Sequence, residues 1–225
     1  MNIPFTIDQF LQVIKDYNLT VWPMQIVFYG IGFLIVCFSI RRTPHSSTVI
    51  NLALASLWLW VGIVYHIGFF TGINRAAYLF GGFSIVQGVL FLYSGVFKSN
   101  ITYAFRPDLY GWTGLLFIVY ALVVYPVIGY FSSHSYPYAP TFGLPCPTTI
   151  FTMGMLLFAD KKISLLILVI PLLWSIIGTS AALNFGIRED LGLLVSGIVT
   201  LLLIAHRNKK LAQMKSPAVS SLLWL

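Results

Sequence analysis

Long apolar runs broken by short polar connections dominate the pattern of this chain. Seven runs can be read, at about 21 to 40, 49 to 70, 76 to 97, 110 to 131, 142 to 159, 163 to 183 and 189 to 206. A helix needs about 20 mostly apolar residues to cross a hydrocarbon core about 30 Å thick. The pattern therefore predicts an all-α, polytopic membrane protein of seven transmembrane helices. Ahead of the first run, Phe5, Ile7, Phe10, Leu11, Ile14 and Tyr17 are interleaved with Asp8, Gln9, Gln12, Lys15 and Asp16. This spacing predicts a short amphipathic helix over 3 to 18 lying on the outer surface, as a lid or as an interfacial anchor leading into Trp22. Three regions result: a surface segment (1–20), the seven-helix domain (21–206) and a basic cytoplasmic tail (207–225), which is expected to be poorly ordered from after His206 through Ser216 to Leu225.

Composition agrees with this pattern. Hydrophobic residues make up 58% of the 225 and charged ones only 8%, against about 25% charged in soluble domains. The formal net charge of +7 would suggest nucleic acid in a soluble protein. Here the basic residues sit between apolar runs, so their expected partner is the anionic inner leaflet of a lipid bilayer and not nucleic acid. Their placement also orients the chain. The N-terminal segment and alternate loops hold Lys15, Arg75 and Arg188, whereas the remaining loops and tail hold Arg41, Arg42, Lys98, Arg106, Lys161, Lys162, Arg207, Lys209, Lys210 and Lys215. Cytoplasmic loops carry the Lys/Arg excess, so the N-terminus is expected outside and the C-terminus in the cytoplasm. No removable signal peptide is expected. Cys37 and Cys146 fall in different runs and form no disulfide framework.

The second and third runs lie over the sixth and seventh at an offset of 114 residues, pairing Leu59 with Leu173, Trp60 with Trp174, Gly72 with Gly186 and Leu79 with Leu193. The first falls on the fifth at a slightly different offset, pairing Pro23 with Pro147, Ile26 with Ile150 and Gly30 with Gly154. A parallel repeat of three helices, one linker and three helices is implied, a plan similar to that of the SWEET sugar carriers, with the substrate site between the halves.

Polar side chains inside a membrane are costly and mark candidate chemistry. His66, Gln87, Cys146, Thr148, Asn184, Glu189 and Asp190 gather toward the outer half, and Gln87 is the deepest. The fifth run opens Gly143-Leu144-Pro145-Cys146-Pro147-Thr148-Thr149, which no regular helix interior tolerates because each proline lacks an amide donor. The helix is therefore expected to start at Pro147, with extended chain dipping into the membrane before it. A helix start below the surface favours an anion or a thiolate at Cys146. Plainer alternatives stand beside each reading: Cys146 as an inert small residue, His66 as a buried, hydrogen-bonded imidazole, and Glu189 with Asp190 as caps of the seventh helix. Cys146, His66 and Glu189 are also candidate metal ligands, though without ligand spacing inside any one helix.

No lysine lies within a run, so a retinal Schiff base has nowhere to form, and phosphate-binding loop, HExxH and GxSxG patterns are absent. Three stretches, Trp58-Leu59-Trp60-Val61-Gly62 with Tyr65-His66, Gly143 to Thr149, and Glu189-Asp190-Leu191-Gly192-Leu193-Leu194, together resemble a family of small bacterial membrane proteins catalogued only as a domain of unknown function. The resemblance covers nearly the whole chain. It implies the membrane fold and a bacterial inner-membrane setting, and some members carry the label permease, but it supplies no activity or site residue.

The sequence thus points to a small-solute or ion transporter whose outward cavity is lined by the seven polar residues above. The alternatives are an integral-membrane enzyme with Cys146 as thiolate or metal ligand and His66 as base, or a non-catalytic sensor or assembly subunit. The expected partners are the bilayer and a small solute or ion. The sequence specifies no cofactor and leaves oligomer formation open.

Overall fold

A computed structural model describes residues 4–132 and 134–214. Every apolar run carries a helix. We label them α1 (Ile7–Thr20), α2 (Met24–Ile40), α3 (Ser46–Gly72), α4 (Ala77–Phe97), α5 (Leu109–Phe131), α6 (Pro145–Leu157), α7 (Leu166–Phe185) and α8 (Leu191–Met214), with a 3-10 turn at Arg188–Asp190 leading into α8. Five, α3, α4, α5, α7 and α8 with its turn, are long and apolar enough to cross a bilayer, and a sixth results if α1 and α2, bent by 84°, form one span. The pattern predicts seven, and the difference is α6. Its 13 residues rise only about 20 Å at 1.5 Å per residue.

The outward surface is apolar. Ile26, Phe33, Leu116, Val123, Ile176 and Leu202 are each more than half exposed. Contiguous apolar surface of this kind is a liability in water and an ordinary lipid contact in a bilayer, so the protein is a multi-pass membrane protein.

Helix α6 is the centre of the bundle. Every residue from Pro147 to Leu157 is buried, as expected of a helix that is apolar all round. It packs against α5, α7 and α8 and touches α3. Its crossing with α5 is set by two glycines: a Cβ on Gly114 would lie 2.7 Å from the Gly154 carbonyl oxygen, and one on Gly154 would lie 2.7 Å from that of Gly114. Only hydrogens fit there, and the backbones meet directly. Trp58 of α3 donates its indole N–H to Thr152 Oγ1 at 3.1 Å.

The start of α6 differs from expectation. The helix begins at Pro145 and not Pro147, after an extended Leu144. The first four N–H groups of any helix lack intrahelical acceptors, so both prolines occupy positions where a missing donor costs nothing. The chain before it, residues 134–144, is non-helical, and Ala139, Phe142 and Leu144 within it are buried. Asn18, at the end of α1, holds this stretch through hydrogen bonds from its Nδ2 to the carbonyls of Pro137 (2.7 Å) and Ala139 (2.9 Å), and its Oδ1 accepts from Thr141.

The opposite end is tied down as firmly. Asn51 donates to the Ile101 carbonyl and accepts from Tyr103, and burial of Tyr103 in this connection pushes its phenol above its ordinary value. Asp160 accepts from Thr102 and pairs with Arg42. The basic segment after His206, expected to be poorly ordered, is helical as far as it is described: α8 runs on to Met214, and Arg207 and Asn208 are buried because their side chains bond to backbone of the bundle. Arg207 Nη1 donates to the carbonyls of Leu157 (3.1 Å) and Ala159 (2.7 Å), the unpaired C-terminal groups of α6 and the residues after it, while Asn208 exchanges two hydrogen bonds with the backbone of Ile163. The expectations for Lys215 and for Ser216 to Leu225 fall outside the described residues.

Candidate functional site

A mainly apolar cavity of about 470 Å³ lies at the end of the bundle where α1 crosses it. The capping box of Thr6 and Gln9 starts α1, and its apolar face lies on the cavity. Phe5, just ahead of α1, packs on Phe70 (5.4 Å between ring centroids) and Phe185 (5.5 Å), and Phe10 of α1 stacks on Phe185 (5.9 Å), so aromatic side chains at the start of α1 bridge the ends of α3 and α7. Tyr17 is wedged edge-on against Tyr65 and Phe69 and accepts a hydrogen bond of 2.8 Å from the Trp60 indole. The walls include Tyr65, Phe70, Phe80 and Trp174, and the polar lining residues are Asn74, Cys146, Ser180 and Asp190.

Local backbone choices aim these residues. Gly186, in the left-handed region at φ +71°, ends α7. The 3-10 turn that follows sends Glu189 and Asp190 apart. Glu189 meets His134 Nδ1 at 3.0 Å, and its backbone carbonyl accepts from the Tyr120 hydroxyl at 2.8 Å. Asp190 faces the cavity, and its Oδ1 accepts from the Tyr125 hydroxyl at 2.5 Å. Tyr125 follows a π-helical stretch, Tyr120–Val124. Pro126 cannot donate to the Leu122 carbonyl in the usual helical register, and a widened turn relieves that conflict. Tyr65 and His66 sit within another π-helical stretch, Val61–Phe69.

Cys146 occupies the first turn of α6. A methyl on Gly178 of α7 would lie 3.7 Å from Cys146 Sγ and 3.5 Å from Trp174 Nε1, so the thiol and the indole N–H flank one glycine beside the cavity. His66 is buried behind the wall with its ring 4.9 Å from that of Trp174, and neither ring nitrogen has a hydrogen-bond partner among the described residues. Thr148, one turn into α6, is likewise buried with an unpaired hydroxyl.

Of the residues expected at the site, Cys146 and Asp190 line the cavity, and His66 and Thr148 lie buried outside its lining. Glu189 is turned toward α5. Asn184 is exposed and bonds back to the Ser180 carbonyl. Gln87 sits at the other end of α7, where its Nε2 donates to the Ile167 carbonyl at 3.1 Å. That carbonyl is the one Pro171, four residues on within the helix, leaves without a donor, which accounts for a buried glutamine there. Cys146, His66 and Glu189 do not converge, and among the described residues no three His, Cys, Asp or Glu side chains form a metal-binding group. A hydrogen-bonded Cys146–His66 pair is also absent there, since both imidazole nitrogens are unpaired.

Tyr125, Trp174 and Asn18 shape the site through tertiary contacts, although nothing in their sequence setting assigns them to it. A tyrosine or tryptophan buried in a helix needs a partner for its polar atom, but the sequence does not say which. With this geometry in place, comparison assigns the chain: residues 7–215 match the model of a family of unknown function, DUF6064, and the chain belongs to that family. No curated protein and no solved structure matches it.

Proposed function

We propose that this family member is a small-solute permease of the bacterial inner membrane, and that the cavity beneath α1 is its solute site. One observation carries the reading: a lidded cavity of about 470 Å³ ends on a buried carboxylate and a half-buried thiol inside a bundle of membrane-crossing helices. Transporters place substrates where helices are interrupted, and the cavity sits at the start of short, buried α6. Broken backbone at such depth is tolerated where protein buries it or a cavity adjoins it, and residues 134–144 fit that condition. The enzyme alternative loses support from the unpaired His66 ring.

In this reading the chain crosses seven times, α6 completing its passage with the extended residues before it, and the order is three helices, a linker and three helices. The distribution of basic residues supports an outer N-terminus and a cytoplasmic C-terminus. Purified protein in liposomes should show saturable uptake of a solute from a broad panel, reduced several-fold by Cys146→Ala. Flux no greater than that of empty vesicles across the panel would overturn the proposal.

A further inference from the structure

Resting on the cavity as the solute site, the structure carries a statement about the solute's charge. Asp190 lines the cavity and is only 4% exposed. Its carboxylate accepts from Tyr125, yet no Lys, Arg or His among the described residues pairs with it. The charged groups beside it are engaged or directed elsewhere: Glu189 bonds His134, and Arg188 is exposed. It lies beside Cys146, in the first turn of α6, so the positive end of that helix's dipole is directed at the carboxylate. This revises the sequence-based expectation of an anion at that helix start, because the protein supplies its own. A buried carboxylate without a counter-charge is costly, and a cation arriving in the cavity would offset that cost.

The rest of the lining selects the kind of cation. It contains no Lys, Arg or His, so an anion would find no counter-charge there. Aromatic rings do line the space, in two packed pairs: Tyr65 stacks on Phe70 at 5.7 Å, and Phe80 meets Trp174 edge to face at 5.4 Å. Aromatic faces attract organic cations, with tryptophan the strongest. A volume of about 470 Å³ falls in the range of about 300–1,000 Å³ that holds organic ligands, far more than a bare ion needs. We infer that the solute is an organic monocation bearing apolar groups, its charge set against Asp190 and its body against Tyr65, Phe70, Phe80 and Trp174.

Isothermal titration of the full chain in mild detergent tests this with three probes of similar shape: benzyltrimethylammonium, benzyl alcohol and benzoate. The cation should bind at least about tenfold more tightly than either other probe, a difference of about 1.4 kcal/mol, and Asp190→Asn should erase the preference. Equal binding of the three, or a preference surviving in Asp190→Asn, would overturn the inference. If Asp190→Asn does not fold, Trp174→Leu serves, since it keeps the carboxylate. It should weaken the cation about three- to tenfold and benzyl alcohol less, and equal losses for both would count against the aromatic role. The permease reading fails separately: selective cation binding without flux in liposomes sinks transport and leaves the cation site, whereas flux of neutral or anionic solutes without cation preference does the reverse.

Discussion

Replacing Arg207 should loosen the central helix from its far end. Helix α6 stops inside the protein, where water cannot satisfy its last carbonyls. The Arg207 guanidinium reaches three of the local carbonyls, Ala159 at 2.7 Å, Leu157 at 3.1 Å and Leu156 at 3.4 Å. Two are good charge-assisted hydrogen bonds at about 1.5–3 kcal/mol each, and the third is too long to count fully. Deleting the side chain also removes the cost of burying a guanidinium, which lowers the net loss to about 2–4 kcal/mol. Arg207→Ala should show this loss in reversible unfolding by SDS in mixed micelles, with faster amide exchange at Phe158 and Ala159. Arg207→Met, which restores much of the volume but no donor, should fall near alanine. Arg207→Lys, with the charge but no planar fork, should fall between alanine and the native protein. A methionine variant within about 0.5 kcal/mol of native, the usual scatter of inconsequential substitutions, would show that Arg207 acts by packing and refute the argument.

Gly154→Ala should destabilise the bundle by about 1–3 kcal/mol, the usual cost of overpacking, because the new methyl meets backbone at Gly114 and Ile118. Gly30→Ala and Gly82→Ala, where nothing lies within 4 Å of the added carbon, should be neutral or slightly stabilising, and a loss there equal to that at Gly154 would refute the close-contact reading. For orientation, His45→Cys and Ala76→Cys lie in exposed connections at opposite ends of the bundle. In intact cells a membrane-impermeant thiol reagent should label Ala76→Cys above the parent's background and spare His45→Cys, and the opposite pattern would invert the proposed topology.

Much of the architecture was legible because burial in lipid imposes a local rule. Each apolar run became a helix, since backbone groups with no water nearby must pair within their own segment. The amphipathic spacing from Phe5 to Tyr17 likewise became a surface helix with its apolar face on the cavity. The break before Cys146 was visible from its prolines, although the helix starts two residues earlier, where the missing donors are harmless.

Sequence alone therefore determined the membrane setting, the helical class and the place of the irregular helix, all consequences of side-chain polarity read over a window of neighbours. Tertiary structure decided what each polar residue does. Glu189 and Asp190 are adjacent and chemically alike, yet one bonds His134 and the other faces the cavity beside Tyr125. Gln87, which reads as the deepest of the polar side chains, serves the carbonyl left open by Pro171, and Arg207, which reads as part of a basic tail, closes the end of α6. These assignments depend on side chains and backbone meeting across separations of 48 to 80 residues, and local polarity carries no information about which distant groups a fold brings within hydrogen-bond reach.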